Sequence, residues 1–228
     1  VFRDRVDYSR MMKARLREAR ERDEAARRAD AAEPTAISGI ERELAAAKGG
    51  LADADAGVVV DLFLSYRSVK AWRQMIALVP KMAAPLAATT LVQEQLGLAL
   101  NRDGRRDDAE AVLRALIERN GPSSETCGLL GRVFKDRWED AAAAGETFAA
   151  PAWLAKAIEA YLRGFEADWR DAYPGINAVT LMELKEPPDP RGERLLPVVA
   201  YAVERRMAAG VPDYWDHATR LEIAVLER

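Results

Sequence analysis

The chain has 228 residues, 49% of them hydrophobic, with one cysteine and 34 basic against 37 acidic side chains for a net charge of −3. That length suffices for one sizeable domain or a short repeat array, and the balanced charge gives no field that would draw nucleic acid or an anionic membrane. A lone cysteine excludes an internal disulfide and no apolar run approaches bilayer length, so a cytoplasmic protein with neither kind of partner is the expectation.

Ala, Leu, Arg and Glu dominate the sequence. These residues favour helix, which predicts an all-α fold with almost no strand. The opening VFRDRVDYSR has no apolar signal-peptide core and no initial Met, so a segment of a longer protein is expected. From about Val6 to Ala32 the pattern reads as one long helix, with Glu18 and Arg22, Asp23 and Arg27, and Glu24 and Arg28 spaced to pair one turn apart. Its apolar positions, Val6, Met11, Met12, Leu16, Ala19 and Ala26, predict packing along one side with the charged face in water. A membrane-surface helix is the competing reading, and the interleaved acids argue against it. Pro34 suits a first-turn position, opening a helix through Ile37, Ile40 and Leu44 that stops at Gly49-Gly50.

Helical pairs follow. GVVVDLFLSYRSV pairs with KAWRQMIALVPKM, and TTLVQEQLGLALNR with DDAEAVLRALIER across the turn signal DGRR. Leu96-Gly97 recurs as Leu130-Gly131 after 34 residues, the period of a tetratricopeptide repeat. Gly97 is answered twelve residues later by Ala109, with Leu113 and Leu116 extending the second helix. In the next unit AIEAYLRGFEAD supplies the small, large and small positions Ala157, Tyr161 and Gly164. Its spacing from Gly131 is 26 residues, which predicts an inserted loop near 139–151. AYPGINAVTLMEL with RLLPVVAYAVERRM forms a third unit, and DYWDHATRLEIAVLER a further helix. The expected architecture is a right-handed α-solenoid over residues 51–228, flanked or capped by the helices of residues 1–50.

Such an array holds partners on the first helix of each pair. The predicted groove residues are Glu94, Gln95, Leu98, Asn101 and Arg102; Gly128, Arg132, Lys135 and Asp136; and Tyr173, Ile176, Asn177 and Thr180. Asn101, Arg132, Lys135 and Asn177 suit a peptide carboxylate or acidic side chains. The competing reading has Lys135 and Asp136 fixing repeat geometry and Asn177 satisfying a backbone group. His217 is the single histidine, which leaves little basis for a metal site or a nucleophile pair. Asp216, His217 and Glu222 do not share a direction on a helix, so no catalytic residue, metal or cofactor is expected. Cys127 falls at a core position, and the tryptophans read as packing anchors, with Trp138 and Trp153 flanking the insertion as a potential contact surface.

GRVFKDRW, AIEAYLRGFEADWRDAYPGINAVTLMEL and PDYWDHA together resemble the central regulatory, TRAF-binding region of the apoptosis signal-regulating kinases, a region that bacterial proteins also carry. The resemblance spans roughly residues 55–228. Its most specific elements are Gly131 with Lys135-Asp136, Tyr161 with Gly164-Phe165, Gly175-Ile176-Asn177 and Tyr214-Trp215-Asp216. It implies a non-catalytic scaffold for protein or peptide partners, another domain of the same protein included, linking an effector to its regulator. The kinase motifs themselves are absent from these residues. The alternative is a segment of a multidomain enzyme, a nucleotide-cleaving or defence effector, that completes its active site or assembly. Self-association through the open end at Tyr214–Arg228 is a third reading, and the sequence leaves the oligomeric state open.

Overall fold

The computed structural model describes residues 2–28, 33–210, 212 and 214–227. The end of the expected first helix, residues 29–32, lies outside the described residues, as do Val1, Val211, Asp213 and Arg228. Among the described residues there is no strand. Two compact units divide the chain at Arg105 and Arg106.

The first unit contains α1 (Phe2–Arg28), α2 (Thr35–Ala46), the single turn α3 (Gly50–Asp53), α4 (Ala56–Ser68), α5 (Trp72–Leu78), a 3₁₀ turn at Val79–Lys81, the short α6 (Ala84–Ala87) and α7 (Thr90–Arg102). Met12 and Leu16 of α1, Ile37 and Leu44 of α2, and Val58, Leu62, Phe63 and Tyr66 of α4 form its core with Met75, Leu78 and Val92. Removing these side chains from water drives the assembly, at about 1.5–3 kcal/mol for each large one.

The ion pairs expected along α1 are not formed among the described residues. Asp23 instead is buried, 4% exposed, and its carboxylate accepts hydrogen bonds from the backbone N–H of Ala36 (3.0 Å) and of Ile37 (2.8 Å). The reason lies at the start of α2, where Pro34 stands at the N-cap and offers no side-chain acceptor. The unpaired amides of the first turn need one from elsewhere. Asp55 and Thr89 do the same locally, accepting from Val58 N and Val92 N at the starts of α4 and α7. Tyr66, fully buried, donates to Glu41 Oε2 at 2.5 Å. Burial and that carboxylate push the phenol well above its ordinary pKa.

The second unit contains α8 (Arg106–Asn120), α9 (Ser124–Ala143), α10 (Ala149–Ala167), α11 (Ala172–Glu183), α12 (Arg191–Ala209) and α13 (Tyr214–Leu226). Each packs on its successor, α9 and α10 most extensively. Ser123 and Asp171 cap α9 and α11, accepting from Thr126 N and Tyr173 N. The residues expected as an inserted loop near 139–151 extend both helices instead, leaving a short turn between Ala143 and Ala149. Alanine is the strongest helix former, and the run from Ala141 to Ala144 continues α9.

Gly131 lets α10 approach α9. A Cβ at that position would lie 2.7 Å from the Tyr161 ring. The same device recurs one hairpin later, where a Cβ on Gly175 would meet Phe165 at 2.7 Å and Val199 at 2.8 Å. The large residue of one helix therefore sits over the glycine of its neighbour, as the spacing of the repeat predicts. Cys127 is buried against Gly164, and burial raises its thiol pKa, which fits packing and not reactivity. Trp153 is half-buried, stacked on Phe134 at 6.0 Å, with Arg137 and Lys156 over its faces at 4.6 and 4.2 Å. It is covered by cations and does not form an open apolar surface.

Candidate functional site

In the first unit, α7 carries five of the predicted groove residues. Gln95 and Asn101 are 8% and 5% exposed, so neither side chain is offered to solvent. Glu94 and Leu98 are half-buried and Arg102 is exposed. The buried Oε1 of Gln95 has no hydrogen-bond partner among the described residues.

In the second unit the remaining predicted residues stand on α9 and α11, whose contact forms the candidate face. Tyr173 of α11, 48% exposed, lies beside Gly128 of α9, whose added Cβ would meet its ring at 3.2 Å. Arg132 and Asp136 pair along α9 at 2.6 Å. Burial opposes the Arg132 charge, but Asp136 and the Tyr161 phenol hold its pKa above the ordinary arginine value. Lys135, half-buried, has no ion pair or hydrogen bond among the described residues. Asn177 donates its amide to Tyr173 O at 2.9 Å, which leaves its side-chain oxygen as an acceptor. Thr180 donates to Glu222 Oε1 of α13 at 2.5 Å, and Ile176 belongs to the core.

Tyr161 reaches this face from beneath. Its ring is fully buried and edge-on to Tyr173, with centroids 6.2 Å apart. Its hydroxyl is buried with no hydrogen bond of regular geometry among the described residues, and burial first, then Tyr173 beside it, raises its pKa. The face thus combines an exposed aromatic ring, an unpaired ammonium, an Arg–Asp pair and an amide oxygen. That set suits recognition, because aromatic anchors carry binding energy while charged groups orient the partner.

Asp216, His217 and Glu222, set aside above as a catalytic cluster, sit in separate surroundings. Asp216 is buried and paired with Arg206 at 2.7 Å, His217 is exposed, and Glu222 serves Thr180. No group of three or more His, Cys, Asp or Glu residues among the described residues is arranged to hold a metal ion. No helix among them is long and apolar enough to cross a membrane. The sequence reading missed an exposed aromatic stack between Trp169 and Tyr201, with centroids 6.5 Å apart. Its one signal is a tryptophan set in the charged turn ADWRDAY.

A family model described as the MAP3K TRAFs-binding domain matches residues 4–228. No curated protein matches the chain. Among solved structures, the chain resembles MamA 41-end from Desulfovibrio magneticus RS-1, at 13% identity and a TM-score of 0.54, over 84% of this chain and 96% of that one. A MamA RS-1 ArsTM double mutant matches at 13% identity and 0.54, over 86% and 98%. MamA MSR-1 C2 matches at 14% and 0.51, over 85% and 98%. At such identities the likeness shows the fold alone, and that fold is a tetratricopeptide-like α-solenoid.

Proposed function

The chain belongs to the MAP3K TRAFs-binding domain family, and we propose that it holds a TRAF-type protein on the α9–α11 face and links it to an effector domain that the bound partner regulates. The family and its fold neighbours are non-catalytic protein-interaction modules. The family name supplies the partner class. The single observation that carries the surface is the half-buried Lys135, without an ion partner among the described residues, on the same helix α9 that meets the exposed Tyr173 at Gly128. A half-covered cation and an exposed ring are costly to keep unpartnered and gain most when a partner closes over them.

Pulldown of a purified TRAF domain by the whole chain tests this reading. Binding is expected to weaken about tenfold or more in Arg132→Glu with Lys135→Glu. Lys135→Glu alone, which breaks no ion pair among the described residues, separates lost contact from lost fold. Undiminished binding in both variants overturns the surface. Absence of binding by the unaltered chain overturns the partner class.

A further inference from the structure

α1 carries Arg10, Lys13, Arg17 and Arg20, spaced three or four residues apart and therefore on one flank of the helix. Met12, Leu16 and Ala19 seat α1 in the core of the first unit. That seating places the basic flank opposite Asp61 and Ser65 of α4, and the residues enclose a cleft of about 540 Å³. Sites for bound ligands commonly fall in the range of about 300–1,000 Å³.

The cations are not evenly neutralised. On the other flank of α1, Arg15 is closed by Glu43 through two hydrogen bonds of 2.7 and 2.5 Å. In the cleft, Lys13 lies a loose 3.5 Å from Asp61 and Arg10 lies 3.9 Å from Asp7. Arg17 and Arg20 make no ion pair or hydrogen bond among the described residues. An ordinary solvated face of a helix with as many acids as α1 has would pair its charges along the helix. Of the acids of α1, Asp23 is taken up by the start of α2 and Glu18 stands on the Arg15 flank, while Glu24, one turn beyond Arg20, makes no ion pair among the described residues. The surplus of positive charge is left facing α4.

We propose that the α1–α4 cleft binds an acidic peptide segment, with Arg17 and Arg20 receiving its carboxylates and Asp61 accepting a backbone N–H. This rests on the reading of the chain as a protein-binding module and is independent of the α9–α11 face. Guanidinium groups match carboxylates in two-point geometry. The lining selects a peptide over nucleic acid because Asp61, 40% exposed, stands among the cations. A nucleic-acid backbone presents acceptors and repels that carboxylate, while a peptide supplies both the N–H and the acid.

Fluorescence anisotropy of a labelled Glu-rich peptide with the whole chain tests the proposal, with a Gln-rich peptide of equal length and a single-stranded oligonucleotide as comparison probes. The Glu-rich peptide is expected to bind about tenfold or more tightly than either, and raised salt is expected to weaken it. Arg17→Gln with Arg20→Gln, which keeps helix-forming residues on α1, is expected to remove that preference. Arg132→Glu with Lys135→Glu is expected to leave it intact. Equal binding of Glu-rich and Gln-rich peptides, tighter binding of the oligonucleotide, or a preference that survives the Arg17 and Arg20 substitutions in a chain with unchanged helical circular dichroism would each overturn the proposal. The pulldown of the partner domain is read in the same variants. A cleft that fails while the pulldown succeeds leaves the module reading standing, and the reverse outcome leaves the cleft.

Discussion

Gly131 and Tyr161 define each other. Three ring carbons of Tyr161 lie within 2.8 Å of where a Cβ on Gly131 would sit, and the ring is fully buried and cannot swing away. Gly131→Ala is therefore expected to cost about 1–3 kcal/mol in urea denaturation of the whole chain. A loss below about 0.5 kcal/mol would mean that α9 and α10 separate easily. The hydroxyl of the same tyrosine contributes differently. It is buried with no hydrogen bond of regular geometry among the described residues, so Tyr161→Phe is expected to be neutral or slightly stabilising. A loss above about 1.5 kcal/mol would show that the hydroxyl is bonded. The glycine was legible in the sequence because the Leu-Gly pair repeats at the period of the fold. The capping role of Asp23 was not, since it serves amides 13 and 14 residues away and its local spacing suggests only a surface pair with Arg27.

At the level of the helix, the sequence located the hairpins through their small and large positions. It misjudged residues 139–151, where spacing alone suggested a loop and alanine content pointed to helix. Propensity decided, because no Gly or Pro stands between Arg132 and Ala144. The approach to α12 shows how polar groups set the next junction. Asp189 accepts from the backbone N–H of Arg191 at 3.1 Å and pairs with its guanidinium at 2.9 Å, while Lys185 lies 3.2 Å away. Arg191, then Lys185, hold the Asp189 carboxyl well below the ordinary carboxylate pKa, although burial opposes them. A depressed folded-state pKa means that the unfolded chain takes up a proton first, near pH 4. The stabilisation is complete above that pH and fades as pH falls below it toward the folded-state value. Asp189→Asn is thus expected to lower stability by about 1 kcal/mol at neutral pH, with the gap to the unaltered chain narrowing below about pH 4. A gap of the same size at every pH would contradict the electrostatic origin.

At the scale of the whole molecule, the repeat period revealed the fold class, and the family match across residues 4–228 agrees with it. The candidate surface was legible only in part. Counting along first helices placed Lys135 and Tyr173 on an accessible face, yet the same rule placed Gln95 and Asn101 there, and the structure covers both. Burial of a polar residue at a groove position depends on which neighbouring side chains close over it, and one sequence does not specify that. Among solenoid proteins, local changes propagate mainly to adjacent helices, so a bound partner leaves a readable footprint. The measurement that most directly tests the protein-binding role of α9 and α11 is hydrogen–deuterium exchange of the whole chain, alone and with the partner domain of the binding assay. Slowed exchange is expected in residues 128–136 and 173–180 and not in α2. A complex whose slowed exchange omits both segments would contradict the assignment.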